Sequence, residues 1–249
     1  MPDTNASATS APAVSVVVPV RNEADNVRPL TDEIAAALNG RWSYELIYVN
    51  DGSTDATESV LNALKAERPW LRQIKHAASC GQSAAVRSGV IAARAPLVAT
   101  LDGDGQNDPS FIPALLHVFE QGGRQIGLVA GQRVGRRSGA WKKVQSRIAN
   151  GVRGAILRDG TRDSGCGLKV FQREAFLALP YFDALHRFLP ALFRRDGYTI
   201  AYVDVIDRPR QHGVSNYGFF DRLWVGILDL AGVWWLIRRR RKVPRISEV

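Results

Sequence analysis

Val14–Val20 (VSVVVPV) is an unbroken, mostly β-branched run, and it constrains the fold more than any other stretch of the chain. A strand with one face in water alternates apolar and polar residues, so a continuous run calls for cover on both faces. A helical stripe follows at Val27, Leu30, Ile34 and Leu38. Glu45–Val49 (ELIYV) reads as a second strand, ending at the turn Asn50-Asp51-Gly52-Ser53. The next helix is expected to start near Asp55, with Glu58 placed as in a capping box, and to bury Val60, Leu61 and Leu64. The alternation continues through Leu71–Lys75, Gly81–Arg94, Leu97–Leu101, Pro109–Glu120 and Gly127–Gly131. Strands separated by helices of this length predict an α/β fold, a mostly parallel sheet with helices on both faces.

After Arg133 the alternation stops. Residues 140–157 have the spacing of an amphipathic helix, with Val144, Ile148, Val152 and Ile156 on one face. A short strand at Leu168–Phe171, two short helices and a strand around Thr199–Val205 follow, and no Gly- or Pro-rich linker intervenes. The boundaries expected are a disordered tail at 1–12, one domain over 13–222, and a C-terminal segment over 223–249. The tail lacks the basic start and apolar centre of a signal peptide.

Charge separates the two halves. Residues 1–132 carry 10 Lys/Arg against 14 Asp/Glu; residues 133–249 carry 23 against 10. A balance of +13 in the second half suits nucleic acid, anionic lipid or a phosphorylated substrate. Leu223–Ile237 is apolar for 15 residues but for Asp229, short of the roughly 20 needed to span a bilayer. Trp224, Trp234 and Trp235, followed by Arg238–Lys242, suit an amphipathic interfacial helix on a membrane surface; a helix packed on the core with a solvated basic tail is the other reading. Cys80 and Cys166 form no CxxC pair, which excludes a disulfide framework or a structural zinc centre built from them.

The chemistry points to Asp102-Gly103-Asp104, directly after the fourth strand. In open α/β sheets ligands bind at the carboxyl ends of strands. Two carboxylates around a glycine can face one hard cation, and Gln106 offers a third oxygen nearby. Alone, Asp-x-Asp reads equally well as turn chemistry. Pro19-Val20-Arg21-Asn22-Glu23 after strand one and Asp51 after strand two place polar groups on the same rim. No GxGxxG or P-loop is present, and no Glu at the twelfth loop position permits an EF-hand.

The runs VSVVVPVRNEADNV, YVNDGSTD, GQSAAVRSGV, LDGDGQNDP, DSGCGLKVF and HRFLPALFRRDGYTIAYVDVIDRPRQHGVSNYG occur in an order that closely resembles glycosyltransferase family 2. Within it the nearest likeness is to the polyprenyl-phosphate, dolichol-phosphate mannosyltransferase-like subgroup. The resemblance implies a GT-A nucleotide-sugar-binding fold and inverting transfer of a sugar from a GDP- or UDP-sugar to undecaprenyl or dolichyl phosphate. The lipid-linked sugar would serve cell-envelope glycan or lipid A modification. By position, Pro19, Val20, Asn22, Glu23, Asp51, Gln82 and Gly103 would line the nucleotide-sugar. Asp102, Asp104 and Gln106 would hold Mg²⁺ or Mn²⁺ against the diphosphate. Arg133, Lys142, Arg210 and Ser215 would grip the acceptor phosphate, with Arg210 and Ser215 also closing over the diphosphate leaving group.

Two departures stand out: Asn216 follows Ser215 where the family usually has Lys, and Gly105 replaces an apolar residue. Asp163 stands where relatives that attack with a hydroxyl place a base, and here it is either catalytic or a turn cap. His186 is expected as a structural or acceptor-side group, and Cys166 as a small buried hydrophobe. The basic half then finds its partners in lipid phosphate and an anionic membrane surface rather than nucleic acid. The expected location is the cytoplasmic face of the cell membrane, peripherally bound, and a homo-oligomer is compatible with all of this. The alternatives are transfer to a sugar hydroxyl, with Asp163 as base, or a catalytically silent nucleotide-sugar-binding subunit docked on the membrane.

Overall fold

The computed structural model describes residues 11–123, 125–134, 151, 153–161, 163–209 and 219–239, with side chains of the last segment from Gly226 onward. Seven strands form one sheet in the order β3-β2-β1-β4-β6-β5-β7. Their ranges are β1 Val14–Val20, β2 Tyr44–Asp51, β3 Leu71–His76, β4 Leu97–Thr100, β5 Ile126–Arg133, β6 Lys169–Gln172 and β7 Thr199–Val205. β1 lies near the centre, parallel to β2 on one side and β4 on the other.

The continuous apolar run follows from that position. Val14, Val16, Val18 and Val20 face one core, packed with α1 (Ala24–Leu38), α2 (Thr57–Glu67) and α4 (Ile112–Gly122). Val17 faces the opposite core with Ile47, Val49 and residues of α3 (Gln82–Ala92). The alternation of side chains along a strand sends successive valines into different layers, and both layers are apolar. The α1 stripe Val27, Leu30, Ile34 and Leu38 is fully buried, as its spacing requires.

Three local expectations change. α2 begins at Thr57, two residues after Asp55, whose carboxylate accepts from the Thr57 backbone N–H and hydroxyl. Glu58 pairs with Lys75 instead of reaching back to the helix start, and Val60 is half-buried. The Leu168–Phe171 strand appears as β6, antiparallel to both β4 and β5, so the second half of the chain inserts a reversed strand into the sheet. Of the predicted 140–157 helix, residues 151 and 153–157 are described and helical; Ile156 is exposed and Leu157 is buried in its place. Val144, Ile148 and Val152 lie outside the described residues.

The C-terminal helix runs over Phe219–Arg238, starting four residues before the predicted Leu223. Its inner side buries Val233 and packs Leu230, Leu236 and Ile237 on the second core. Arg195, ending the helix Leu189–Arg195, donates from Nε to the Leu236 carbonyl. The outer side exposes Ile227, Leu228, Trp234 and Trp235, with Leu228 at 71% and Trp235 at 52%. Arg238 lies over the Trp234 ring and Arg239 over the Trp235 ring. Among the described residues no helix is long and apolar enough to cross a membrane.

Candidate active site

The carboxyl ends of the parallel strands share one rim. There Asn22, just past β1, takes a left-handed conformation (φ 57°) and ties the β1 end to the loop after β2. Its N–H donates to Ser53 Oγ, and its side-chain oxygen accepts from Thr54 N–H. Glu23 takes part in the same seam, accepting from Asn26 Nδ2 and donating its N–H to Thr57 Oγ1. Asp51, at the β2 end, accepts from four donors: the Cys80 and Gly81 backbone N–H groups, Ser79 Oγ and His76. Those bonds outweigh its burial and hold its carboxyl below the usual range.

Asp102 follows β4. It is half-buried, and Oδ1 accepts from Gln82 Nε2 at 2.7 Å. Burial first, then the charge of Asp104, push its pKa up to about 6, while Lys169 and Arg133 pull the other way. Gly103 is required by crowding: a Cβ there would lie 2.5 Å from Val20 Cγ1 and 2.8 Å from the Pro19 carbonyl oxygen. The left-handed turn comes two residues later, at Gly105 (φ 72°), where glycine meets no steric penalty. Asp104 Oδ1 accepts from the Gln106 N–H, and the Gln106 carbonyl accepts from the Arg208 N–H. Two close carboxylates, with the proton affinity of Asp102 raised in part by the charge of Asp104, form a hard-oxygen donor set. Gly167, too, leaves the Asp102 carboxylate uncovered, since a Cβ on it would stand 2.5 Å away. The residues therefore fit a hard divalent cation.

Arg133 ends β5 and forks onto Asp163, with Nη2 to Oδ1 at 2.8 Å, while Nη1 reaches Asp207 Oδ2 at 3.2 Å. The guanidinium holds the Asp163 carboxyl well below the usual carboxylate range against its burial. Asp163 also accepts from Gly165 N–H, so it is both turn cap and ion-pair partner. Lys142, Arg210 and Ser215 lie outside the described residues.

Sequence reasoning missed three residues here. Lys169, the first residue of β6, is buried and donates to the Cys166 carbonyl, with its pKa lowered by burial. Its signal was available: one cation inside the apolar run Leu168–Phe171. Asn107 accepts the Asp102 N–H and donates to Asp207 Oδ1, strapping the carboxylate loop to the segment after β7. Asp207 joins that strap to Arg133, and nothing local in the sequence marks it. Gln82, Asp102, Gly167, Lys169 and His186 line a small hollow behind the carboxylates. His186 Nδ1 is 2.7 Å from Ser83 Oγ, and burial pushes its pKa down to about 3, so the ring is neutral. Cys166 is fully buried beside the site, its thiol pushed up to about 11 by burial.

A family model described as glycosyl transferase family 2 matches residues 15–179. Dodecaprenyl-phosphate galacturonate synthase of Rhizobium johnstonii is 37% identical over 238 residues, covering 92% of this chain and 68% of that protein. Undecaprenyl-phosphate 4-deoxy-4-formamido-L-arabinose transferase of Edwardsiella ictaluri is 31% identical over 208 residues, covering 82% of this chain. The chain spans 63% of the length of that second relative. Glucosyl-3-phosphoglycerate synthase from Mycobacterium tuberculosis, solved with Mn²⁺, UDP and glucosyl-3-phosphoglycerate, superposes with a TM-score of 0.67 at 19% identity, covering 93% of this chain and 81% of that one. A mannosyltransferase from Pyrobaculum calidifontis, solved with GDP-Man and Mn²⁺, gives 0.67 at 20% identity, covering 95% and 67%. At such identities the likeness shows the fold alone, the GT-A arrangement expected from the sequence.

Proposed function

Because this chain belongs to glycosyl transferase family 2, we propose that it transfers a sugar, with inversion, from a nucleotide-sugar to a polyprenyl phosphate. The observation that carries this reading is the half-buried Asp102 beside Asp104 at the end of β4, gripped by Gln82 from the start of α3. The names of the two curated relatives, one a dodecaprenyl-phosphate and one an undecaprenyl-phosphate transferase, support the acceptor class.

In this reading the donor lies across the strand-end rim, along Pro19, Val20, Asn22, Glu23, Asp51, Gln82 and Gly103. Asp102, Asp104 and Gln106 hold Mg²⁺ or Mn²⁺, which when bound supplies Lewis-acid stabilisation of the departing diphosphate. A phosphate monoester is already largely ionised at pH 7, its second pKa being about 6. Attack on the anomeric carbon then needs positioning more than a protein base. Asp163, with its proton affinity depressed by Arg133, is a weak base, which favours a phosphate acceptor over a sugar hydroxyl. Arg133 serves the acceptor phosphate only when its pair with Asp163 or Asp207 opens, while Lys142, Arg210 and Ser215 complete the clamp.

The C-terminal helix brings the rim to the lipid. Its exposed Ile227, Leu228, Trp234 and Trp235 with Arg238 and Arg239 suit the anionic, cytoplasmic face of a membrane, contacted peripherally. The deciding experiment incubates the protein with labelled nucleotide-sugars, Mg²⁺ or Mn²⁺ and undecaprenyl phosphate. Labelled glycolipid should form, and Asp104→Ala should abolish it. Nucleotide-sugar binding without glycolipid, across a full donor panel, would refute the reading and favour a silent binding subunit.

A further inference from the structure

Away from the carboxylate pair, parallel register sets Asp51 at the end of β2 directly opposite His76 at the end of β3. The following loop brings Cys80 to both. His76 Nδ1 lies 2.7 Å from Asp51 Oδ1. One ligand atom from each of Asp51, His76 and Cys80 lies within 4.8 Å of the others, which among the described residues makes them a group able to share one ion.

We propose that Asp51, His76 and Cys80 form a second cation site, for a thiophilic ion of the Zn²⁺ type, separate from Asp102 and Asp104. The donor chemistry selects the ion: carboxylate, imidazole and thiolate together suit Zn²⁺, whereas oxygen-only sets suit Mg²⁺ or Mn²⁺. Three protein ligands leave a fourth position, and the Cys80 thiol is exposed, so solvent reaches it. His76 already has the outer support a ligating imidazole needs, its Nε2 standing 2.9 Å from Ser88 Oγ. The Asp51 oxygens divide the work. Oδ2 accepts from Ser79 Oγ and Gly81 N–H and keeps the loop anchored, while Oδ1 faces His76 and the Cys80 N–H. A tetrahedral ion about 2.0 Å from N and O spaces them about 3.3 Å apart, about 0.6 Å more than the present 2.7 Å. A small side-chain rotation supplies that. On binding, the thiol releases its proton to solvent, and the neutral imidazole carries its one proton on Nε2, toward Ser88.

An ion there engages a carboxylate expected to line the nucleotide-sugar, so it competes with the donor; this consequence, unlike the site itself, rests on the proposed function. The test titrates the full-length reduced protein with Co²⁺ in saturating Mg²⁺, reading the near-ultraviolet thiolate-to-cobalt charge-transfer band. The band should appear at one Co²⁺ per chain, vanish on adding Zn²⁺, and be absent in Cys80→Ser. His76→Gln should weaken Co²⁺ binding at least tenfold, with circular dichroism showing the fold intact. No band in the wild-type protein, or a band that survives in Cys80→Ser, overturns the site. A band that Mg²⁺-UDP and Mg²⁺-GDP both leave unchanged overturns the competition alone.

Discussion

At the residue scale, the tension sits in Asp102. Its carboxyl holds a proton to about pH 6 in the metal-free fold against 3.8 for an ordinary aspartate. A raised carboxylate pKa means that unfolding releases a proton between those values, so stability falls as pH rises from 3.8 to about 6. Above that window the loss stays, on the order of 1–3 kcal/mol. Asp102→Asn should therefore raise the melting temperature of the metal-free protein at pH 8, by about 2–4 °C per kcal/mol recovered. At pH 4 the gain should shrink, and glycolipid synthesis should be lost at every pH. Gly167→Ala tests the same carboxylate from outside, since its Cβ would stand 2.5 Å from Asp102. We expect a rate at least tenfold lower, about 1.4 kcal/mol of transition-state stabilisation, with an unchanged circular dichroism spectrum. The strand-end position of Asp102 and Asp104 was legible from the β run before them, whereas Asp-x-Asp alone reads equally well as turn chemistry, so a metal role rested on the motifs around it. Lys169 was not singled out, because a lone cation in an apolar strand gains a role only when β6 is set beside β4.

At the element scale, spacing predicted helices better than it predicted their ends. α1 buries its whole stripe, yet α2 starts two residues late, where the Asp55 carboxylate takes the Thr57 N–H and hydroxyl and Lys75 takes Glu58. The C-terminal helix combines both sequence readings, one side on the core and the other exposed. Two variants separate the sides. Leu228→Asp with Trp235→Asp should cut co-flotation with anionic vesicles at least tenfold and leave the melting temperature within about 2 °C, as surface changes do. Val233→Asp buries an unpaired charge and should destabilise by more than about 2 kcal/mol in urea unfolding. The Arg133 junction ties β5 to the segments carrying Asp163 and Asp207. Arg133→Leu leaves two carboxylates without their cation and should cost about 3–5 kcal/mol in the same assay.

At the scale of the whole molecule, strand ends converge on one rim, so ligand binding should stabilise the entire sheet. A nucleoside diphosphate with Mg²⁺ or Mn²⁺ at 100 times its Kd should add about 2.7 kcal/mol to unfolding. Differential scanning should show that shift in the wild-type protein and not in Asp104→Ala. The sequence by itself determined the two-layered α/β core, since a run such as Val14–Val20 has no other stable setting, and it placed Asp102 and Asp104 at a strand end. Tertiary structure alone decided the reversal of β6, the strap from Asn107 through Asp207 to Arg133, and the meeting of Asp51, His76 and Cys80. Periodicity records which face of an element avoids water, a local property written residue by residue. Strand order, and the partners of a buried charge, depend on groups far apart in the chain, and no short-range pattern encodes them.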